Sequence, residues 1–426
     1  MMTETLRTQK LDEIKKKPQY SEMEVMYGGT RQKLPVYKLP LDALVYNKHN
    51  GRIASMVKSF ERQNRELDAS DPKDSEVIEG FLWESNIGRN KHTLQDLKDR
   101  QQLRYGIVTR DGVIVDGNRR AFLLSKIAIS KNETPGYFLA VILDDKLADN
   151  SREIIRLETM YQMGEDEKLG YNAIEKYLRC KDLRQENFEK EEIAKMMSED
   201  KDIIIKWLRT MELMDSYLEL LGYEGIYTRL DDTEGLFVDL DLYLERYNKG
   251  TDMATWAYKA SDVADLQTIF FDLIRARFSG DGKRYRDLGK PSKRDSFFCN
   301  ETVWNEFRDF HFKNVDSITA AEPTVDELRK ANPGKNLDDL LKHRDKDWES
   351  SVRPKLEENF GKSKRRLEDY KAQNAPLELL GRALSTLQTI DTAARAFWDD
   401  PRVEKAVGDI NTLTYEFKKV IKRKGQ

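Results

Sequence analysis

The stretch Gly106-Ile107-Val108-Thr109-Arg110-Asp111-Gly112-Val113-Ile114-Val115-Asp116-Gly117-Asn118-Arg119-Arg120-Ala121-Phe122-Leu123-Leu124 decides how the chain is read. Two short apolar runs, residues 105–109 and 113–115, flank Arg110-Asp111-Gly112. Asp-Gly between such runs predicts a hairpin. After Asp116-Gly117-Asn118 the period lengthens. Ala121, Leu124, Ile127 and Ala128 predict a helix, with Asn118 as its N-cap. A glycine at a strand end lets backbone approach a ligand, and the N–H groups opening the next helix favour an anion. Arg119 and Arg120 add donors suited to phosphate. Gly106, Gly117, Asn118, Arg119 and Arg120 are therefore candidate contacts to a phosphate-bearing ligand. An ordinary strand-to-helix turn with solvated arginines carries the same spacing.

Outward from this junction the pattern is α+β. Residues 36–44 predict a strand feeding a short helical turn, with Pro40 at the strand's end. Ile53, Met56, Val57 and Phe60 fall at helical spacing. Asp68-Ala69-Ser70-Asp71-Pro72 predicts a loop and residues 77–83 a short helix. Residues 93–103 predict another helix, capped by Thr93 and turning Leu94, Leu97 and Leu103 toward a core. Residues 137–143 predict a strand. Residues 1–34 are polar, break at Gly28-Gly29, and are expected to form a loosely ordered arm with a short helix at 11–17.

From Ser151 onward the helical period dominates. Residues 188–197 and 203–211 predict a helix pair joined by a polar turn. Breaks are expected at Ser279-Gly280-Asp281-Gly282 and Asn332-Pro333-Gly334, and final helices at 376–398 and 403–421. The expected organisation is an arm (1–34), an α+β domain with a small mixed sheet (35–150), a helical domain (151–230) and a helical C-terminal domain of unassigned role (231–426).

Composition narrows the function classes. The chain has 426 residues, with 73 Lys+Arg against 76 Asp+Glu. That balance excludes nucleic-acid binding by bulk charge and requires a local patch. Cys180 and Cys299 are the only cysteines, which excludes a disulfide scaffold and a cysteine zinc site. The four histidines never pair at helical spacing, so no histidine metal site is expected. No run of about 18 apolar residues occurs, so no membrane partner is expected. With no signal-peptide pattern at its start, a cytoplasmic location is expected.

The order of these elements resembles the ParB N-terminal domain, of the ParB/sulfiredoxin superfamily. Leu39-Pro40-Leu41-Asp42-Ala43-Leu44 with Asn47 and Asn50-Gly51-Arg52 is similar to that family's opening strand and its Asn…Arg element. Residues 94–103 are similar to the helix before its base loop. Gly117-Asn118-Arg119-Arg120-Ala121 resembles its Gly-Glu-Arg-Arg phosphate motif, with Asn118 in place of the glutamate. Leu157-Glu158-Thr159-Met160-Tyr161-Gln162 stands where the family has Glu-Asn-x-Gln, with Glu158 matching and Gln162 one residue displaced. Glu191-Glu192-Ile193-Ala194-Lys195-Met196-Met197 and residues 203–211 resemble a helix-turn-helix, packed through Ile193, Ala194, Met197, Ile204 and Trp207.

The resemblance covers residues 36–221 and implies a nucleoside-triphosphate site, for CTP or ATP with Mg. Gly117, Arg119 and Arg120 would hold phosphates, Glu158 would lie near the phosphates or a magnesium ion, and backbone at 103–108 would face the base. It implies a nucleotide-responsive DNA-binding protein whose helix-turn-helix offers Lys201, Lys206 and Arg209 to DNA phosphates. Asp200 and Asp202 oppose such binding. Asp116-Gly117-Asn118-Arg119-Arg120 is also similar to the Asp-Gly-Gln-Arg motifs of superfamily branches in DNA modification and phage defence. Some of those branches are associated with nuclease or NTPase activity, for which Asp116 and Glu158 would be the catalytic candidates. The sulfiredoxin branch needs a cysteine in this loop, and none lies near Gly117. A protein scaffold with a degenerate site is the third reading.

Three other features stay open. Lys283-Arg284-Tyr285-Arg286 with Lys290, Lys293 and Arg294 is either a solvated loop or a nucleic-acid contact with a stacking aromatic. Lys364-Arg365-Arg366 and the basic tail at 418–424 suit solvated helix surfaces. Leu377, Leu380, Leu384, Leu387 and Ile390 form an apolar stripe, expected to be core or a homodimer seam; a partition or defence partner protein is the other candidate.

Overall fold

A computed structural model of the chain describes residues 2–163, 172–250, 253–278, 284–292 and 295–424. The fold is α+β: a small five-stranded mixed sheet followed by helices. The first part of the chain gives α1 (Glu4–Lys15), β1 (Ser21–Tyr27), β2 (Thr30–Pro40) and a 3-10 turn (Leu41–Ala43). Then come α2 (Ala54–Gln63), α3 (Pro72–Glu84), α4 (Ile87–Arg100), β3 (Gly106–Val108), β4 (Ile114–Asp116), α5 (Asn118–Lys131) and β5 (Tyr137–Ile142). The strands lie in the order β1-β2-β5-β3-β4, antiparallel except for the parallel pair β5–β3.

Both faces of the sheet are covered, and the two-residue period of the strands sorts the side chains between them. Tyr37, Val108, Ile114 and Ala140 face a core completed by Leu11, Val57, Ile78, Leu97 and Phe122. Their neighbours Val36, Ile107, Val115 and Val141 face a second core, with Ile154 and Leu157 of α6 (Ser151–Met163).

The helical part continues with α7 (Ala173–Gln185), α8 (Lys190–Met197), α9 (Lys201–Leu221), α10 (Glu234–Asn248), α11 (Ala260–Arg275), α12 (Tyr285–Gly289), α13 (Glu301–Ala320), α14 (Val325–Ala331), α15 (Leu337–Gln388), α16 (Arg395–Asp399) and α17 (Pro401–Lys424). Ile193, Ala194, Met197, Ile204 and Trp207 meet in one cluster, as the helix-pair reading expects. Ser198 takes the left-handed turn between α8 and α9, with φ 50°. The chain divides into two compact units, residues 1–358 and 359–426.

Five expectations are corrected. Residues 1–34 are not a loose arm: they hold α1, all of β1 and the start of β2. Gly28-Gly29 is the two-residue loop of the β1–β2 hairpin, with φ of 62° and 74° that suit glycine. Thr93 lies inside α4; the cap is Asn86, whose side chain accepts from the Arg89 N–H at 2.9 Å. Leu103 faces solvent at 68% exposure. Asn118 is the first helical residue of α5, and the capping position is Gly117. Pro376 lies inside α15 rather than opening a helix, and the leucine stripe beyond it is exposed rather than core. The break expected at 279–282 lies outside the described residues; the one at Asn332-Pro333-Gly334 separates α14 from α15.

Candidate functional site: an arginine pocket at the start of α5

The β4–α5 turn is built around the Phe138 ring. A Cβ on Gly106 would lie 2.2 Å from that ring, and one on Gly117 would lie 2.7 Å from it. Gly117 also has φ 107°, a conformation L side chains rarely adopt. The backbone of β3 and the turn therefore closes down on Phe138, and the first turn of α5 opens outward. Its leading N–H groups have no carbonyl of their own helix to bond.

Side chains lock this turn from three directions. Asn118 is 2% exposed; its amide donates to the Asn47 carbonyl at 3.0 Å and accepts from the Asn47 N–H at 3.2 Å. Gln162 on α6 donates to the Val115 carbonyl at 3.2 Å and accepts from the Gly51 N–H at 3.3 Å. Arg120 donates to Asp116 at 2.6 Å and to the carbonyls of Arg104 at 2.5 Å and Tyr105 at 3.1 Å. Gln102 grips the β5 backbone, donating to the Leu139 carbonyl and accepting from its N–H, each at 2.7 Å.

In front of the turn is a cavity of about 310 Å³. Arg89, Thr93 and Asp96 of α4 form one wall, Gln101, Leu103 and Arg104 the rim, and Gly117 to Arg120 the floor, with Asn50, Arg52 and Gln162 closing it. Five arginines line it, Arg52, Arg89, Arg104, Arg119 and Arg120, against the acids Asp96 and Asp116. That excess of guanidinium at a helix N-terminus attracts a polyanion.

Gly117, Asn118, Arg119 and Arg120 thus come together at one cavity, and Gly106 supports it from beneath. Arg120 and Asp116 hold each other, so they brace the turn rather than offer open groups to a ligand or a catalytic step. Glu158 does not line this cavity. It is 2% exposed, accepting from Arg179 at 3.1 Å and from Gln162 at 3.1 Å. Burial pushes its carboxyl above the usual range, against the pull of Arg179. With those oxygens engaged, Glu158 fits poorly as a magnesium ligand and well as the support of Gln162. No group of three His, Cys, Asp or Glu side chains gathers to hold a metal among the described residues.

Arg89 and Asp96 were not singled out in the sequence and Thr93 was read only as a helix cap, though the three share a face of α4 at spacings of four and three. Arg104 carries no local signal; tertiary structure alone brings it to the rim.

The helix-turn-helix cations divide. Lys201 and Lys206 are exposed on α9, and Lys201 contacts Glu191 at 2.5 Å. Arg209 is committed to Asp241 and to Glu245, the latter at 3.1 Å, so it braces α9 against α10. The basic loop loses its stacking aromatic. Tyr285 is buried and donates to Asp239 at 2.6 Å, while Arg284 pairs with Glu357 at 2.7 Å. Lys283, Lys293 and Arg294 lie outside the described residues.

No helix among the described residues is long and apolar enough to cross a membrane. No family model matches this chain, and no curated protein matches it.

Proposed function

We propose that the chain is a nucleotide-responsive DNA-binding protein that holds the polyphosphate of a nucleoside triphosphate, CTP or ATP, in the arginine pocket. The carrying observation is the convergence of Arg52, Arg89, Arg104 and Arg119 on the glycine turn that opens α5, with Arg120 braced on Asp116 beside them. Arg119 and the first-turn amides would meet the phosphates, with Arg52, Arg89 and Arg104 around them. The cavity lies at the low end of ordinary ligand sites, roughly 300–1,000 Å³. A magnesium ion, if carried, would arrive with the phosphates.

The response has a physical route. Arg52 and Arg119 also line a small cavity of about 70 Å³ with Ser55, Glu175 and Asp231. There α2 meets α7: Ser55 donates to Glu175 from its hydroxyl at 2.5 Å and from its N–H at 3.3 Å. A polyphosphate drawing on the two guanidinium groups changes the charge facing that junction, and so biases how the sheet-bearing part packs on α7 to α9. Lys201 and Lys206 are the exposed cations through which α9 would meet DNA phosphate.

A melting panel with CTP, ATP, GTP, UTP and tripolyphosphate, each with and without Mg²⁺, tests the pocket. A ligand at 100 times its Kd stabilises by about 2.7 kcal/mol. Flat melting curves throughout defeat the reading. Gel mobility of duplex DNA with and without the active ligand tests the response. Nicked plasmid in place of retarded plasmid would move the proposal to the nuclease class.

A further inference from the structure

Residues 359–426 carry an unpartnered apolar surface with its own geometry. Fifteen of their large apolar side chains are between 37% and 74% exposed. On α17, Val403, Ile410 and Phe417 repeat every seven residues, and so do Ala406, Leu413 and Val420. That is an a/d seam three heptads long. Near the end of α15, Leu377, Leu380, Leu384 and Leu387 keep the same spacing, and all four are exposed too. Helices in proteins owe most of their stability to a packed apolar face. Half-exposed side chains of about 150 Å² each give on the order of 1,000 Å² of apolar surface here, against the roughly 800 Å² per partner of a stable interface.

Charge selects the occupant. Asp399 and Asp400, just ahead of α17, and Glu404 and Asp409 within it stand against Arg395, Arg402 and Lys405, with Arg395 pairing to Asp399 and Arg402 to Asp400. The trailing end of α17 carries Lys418, Lys419, Lys422, Arg423 and Lys424 against Glu416. A segment slightly acidic at its start and strongly basic at its end meets less like charge when its copies lie reversed than when they lie parallel. Laid antiparallel, two copies pair Ile410 with Leu413 near a two-fold axis and set each acidic end beside a basic one. A parallel pair would stack like charges.

We infer that α17 is the seam of a homodimer, paired antiparallel with α17 of a second copy about an axis near Ile410 and Leu413. The stripe of α15 supplies further apolar surface to the same two-fold assembly, which brings four helices together as a bundle core requires. This assignment does not depend on the nucleotide pocket.

The full chain is tested by sedimentation and by crosslinking. Wild type at 10 µM is expected at twice the chain mass of 49.8 kDa, and Ile410→Asp with Leu413→Asp at the single mass. A short bismaleimide reports orientation without disrupting the fold, because Cys180 and Cys299 are buried. Leu413→Cys, beside the axis, is expected to crosslink. Ile421→Cys, whose copies would lie roughly 28 Å apart at 1.5 Å per residue, is not. A monomeric wild type overturns the inference, and if that monomer floats with phosphatidylglycerol vesicles the face belongs to a lipid surface. Crosslinking at Ile421→Cys equal to that at Leu413→Cys overturns the antiparallel arrangement. A dimer that survives the double aspartate variant overturns the seam.

Discussion

The two units solve the same problem with opposite results. Among the described residues, 1–358 expose eight large apolar side chains, while 359–426 expose fifteen in less than a fifth of that length. Both are rich in amphipathic helices. In the first unit the apolar stripes find a sheet or a neighbouring helix: α6 closes on Val36 and Val141, and α8 closes on α9. In the second, the stripes of α15 and α17 face outward. Amphipathic period shows that a face must be covered. It does not say whether the cover comes from the same chain.

The largest contrast lies in cavity-forming substitutions. Phe138 is fully buried beneath both turn glycines, so Phe138→Ala is expected to cost about 3–5 kcal/mol in urea unfolding and to collapse the pocket. Leu384, 58% exposed, is expected to cost under about 0.5 kcal/mol as Leu384→Ala, measured where the chain is monomeric. Equal losses at the two sites would break the contrast.

A pH effect of about 3 kcal/mol is expected inside the first unit. Burial pushes the Glu175 carboxyl up to about 7 from an ordinary 4.5, with Asp231 and Asp182 adding to the push. The folded state therefore keeps a proton that the unfolded chain releases. The contribution is complete below pH 4.5 and is lost as the pH rises through about 7. Glu175→Gln is expected to raise the urea midpoint at pH 8 and leave it nearly unchanged at pH 4.5. A gain confined to low pH would contradict the assignment.

A smaller loss is expected at the turn. Gly117→Ala forces an L residue to φ 107° and brings its Cβ against Phe138, at about 1–3 kcal/mol for the backbone strain. Gly381 in α15 has open space around it, so Gly381→Ala is expected to stabilise its helix by up to about 1 kcal/mol. Melting of the two variants, followed by circular dichroism, should therefore move in opposite directions.

The sequence made the β3–β4–α5 junction legible nearly to the residue, because Asp-Gly, the apolar runs and the change of period all agree there. It hid β1, because Glu22 and Glu24 interrupt its apolar residues, the facing stretch of β2 carries Arg31 and Lys33, and Val25 is the one residue of β1 that is buried. The glycines and arginines of the floor were legible from their local order. The roles within them were not. Arg120 is spent on Asp116 and two carbonyls, Asn118 on Asn47, and Glu158 on Arg179. Those partners come from other elements, so no spacing along the chain predicts them. Pro376 misled for the opposite reason: a proline normally ends or kinks a helix, and here α15 runs through it.

The central claim is that the cavity ahead of α5 binds polyphosphate through Arg119. Titration calorimetry of the full chain with CTP, ATP and tripolyphosphate in Mg²⁺ measures it most directly. The expected result is saturable heat with at least one of the three, weakened tenfold or more by Arg119→Ala, about 1.4 kcal/mol. No heat from any of the three, or equal affinity in the variant, would contradict it.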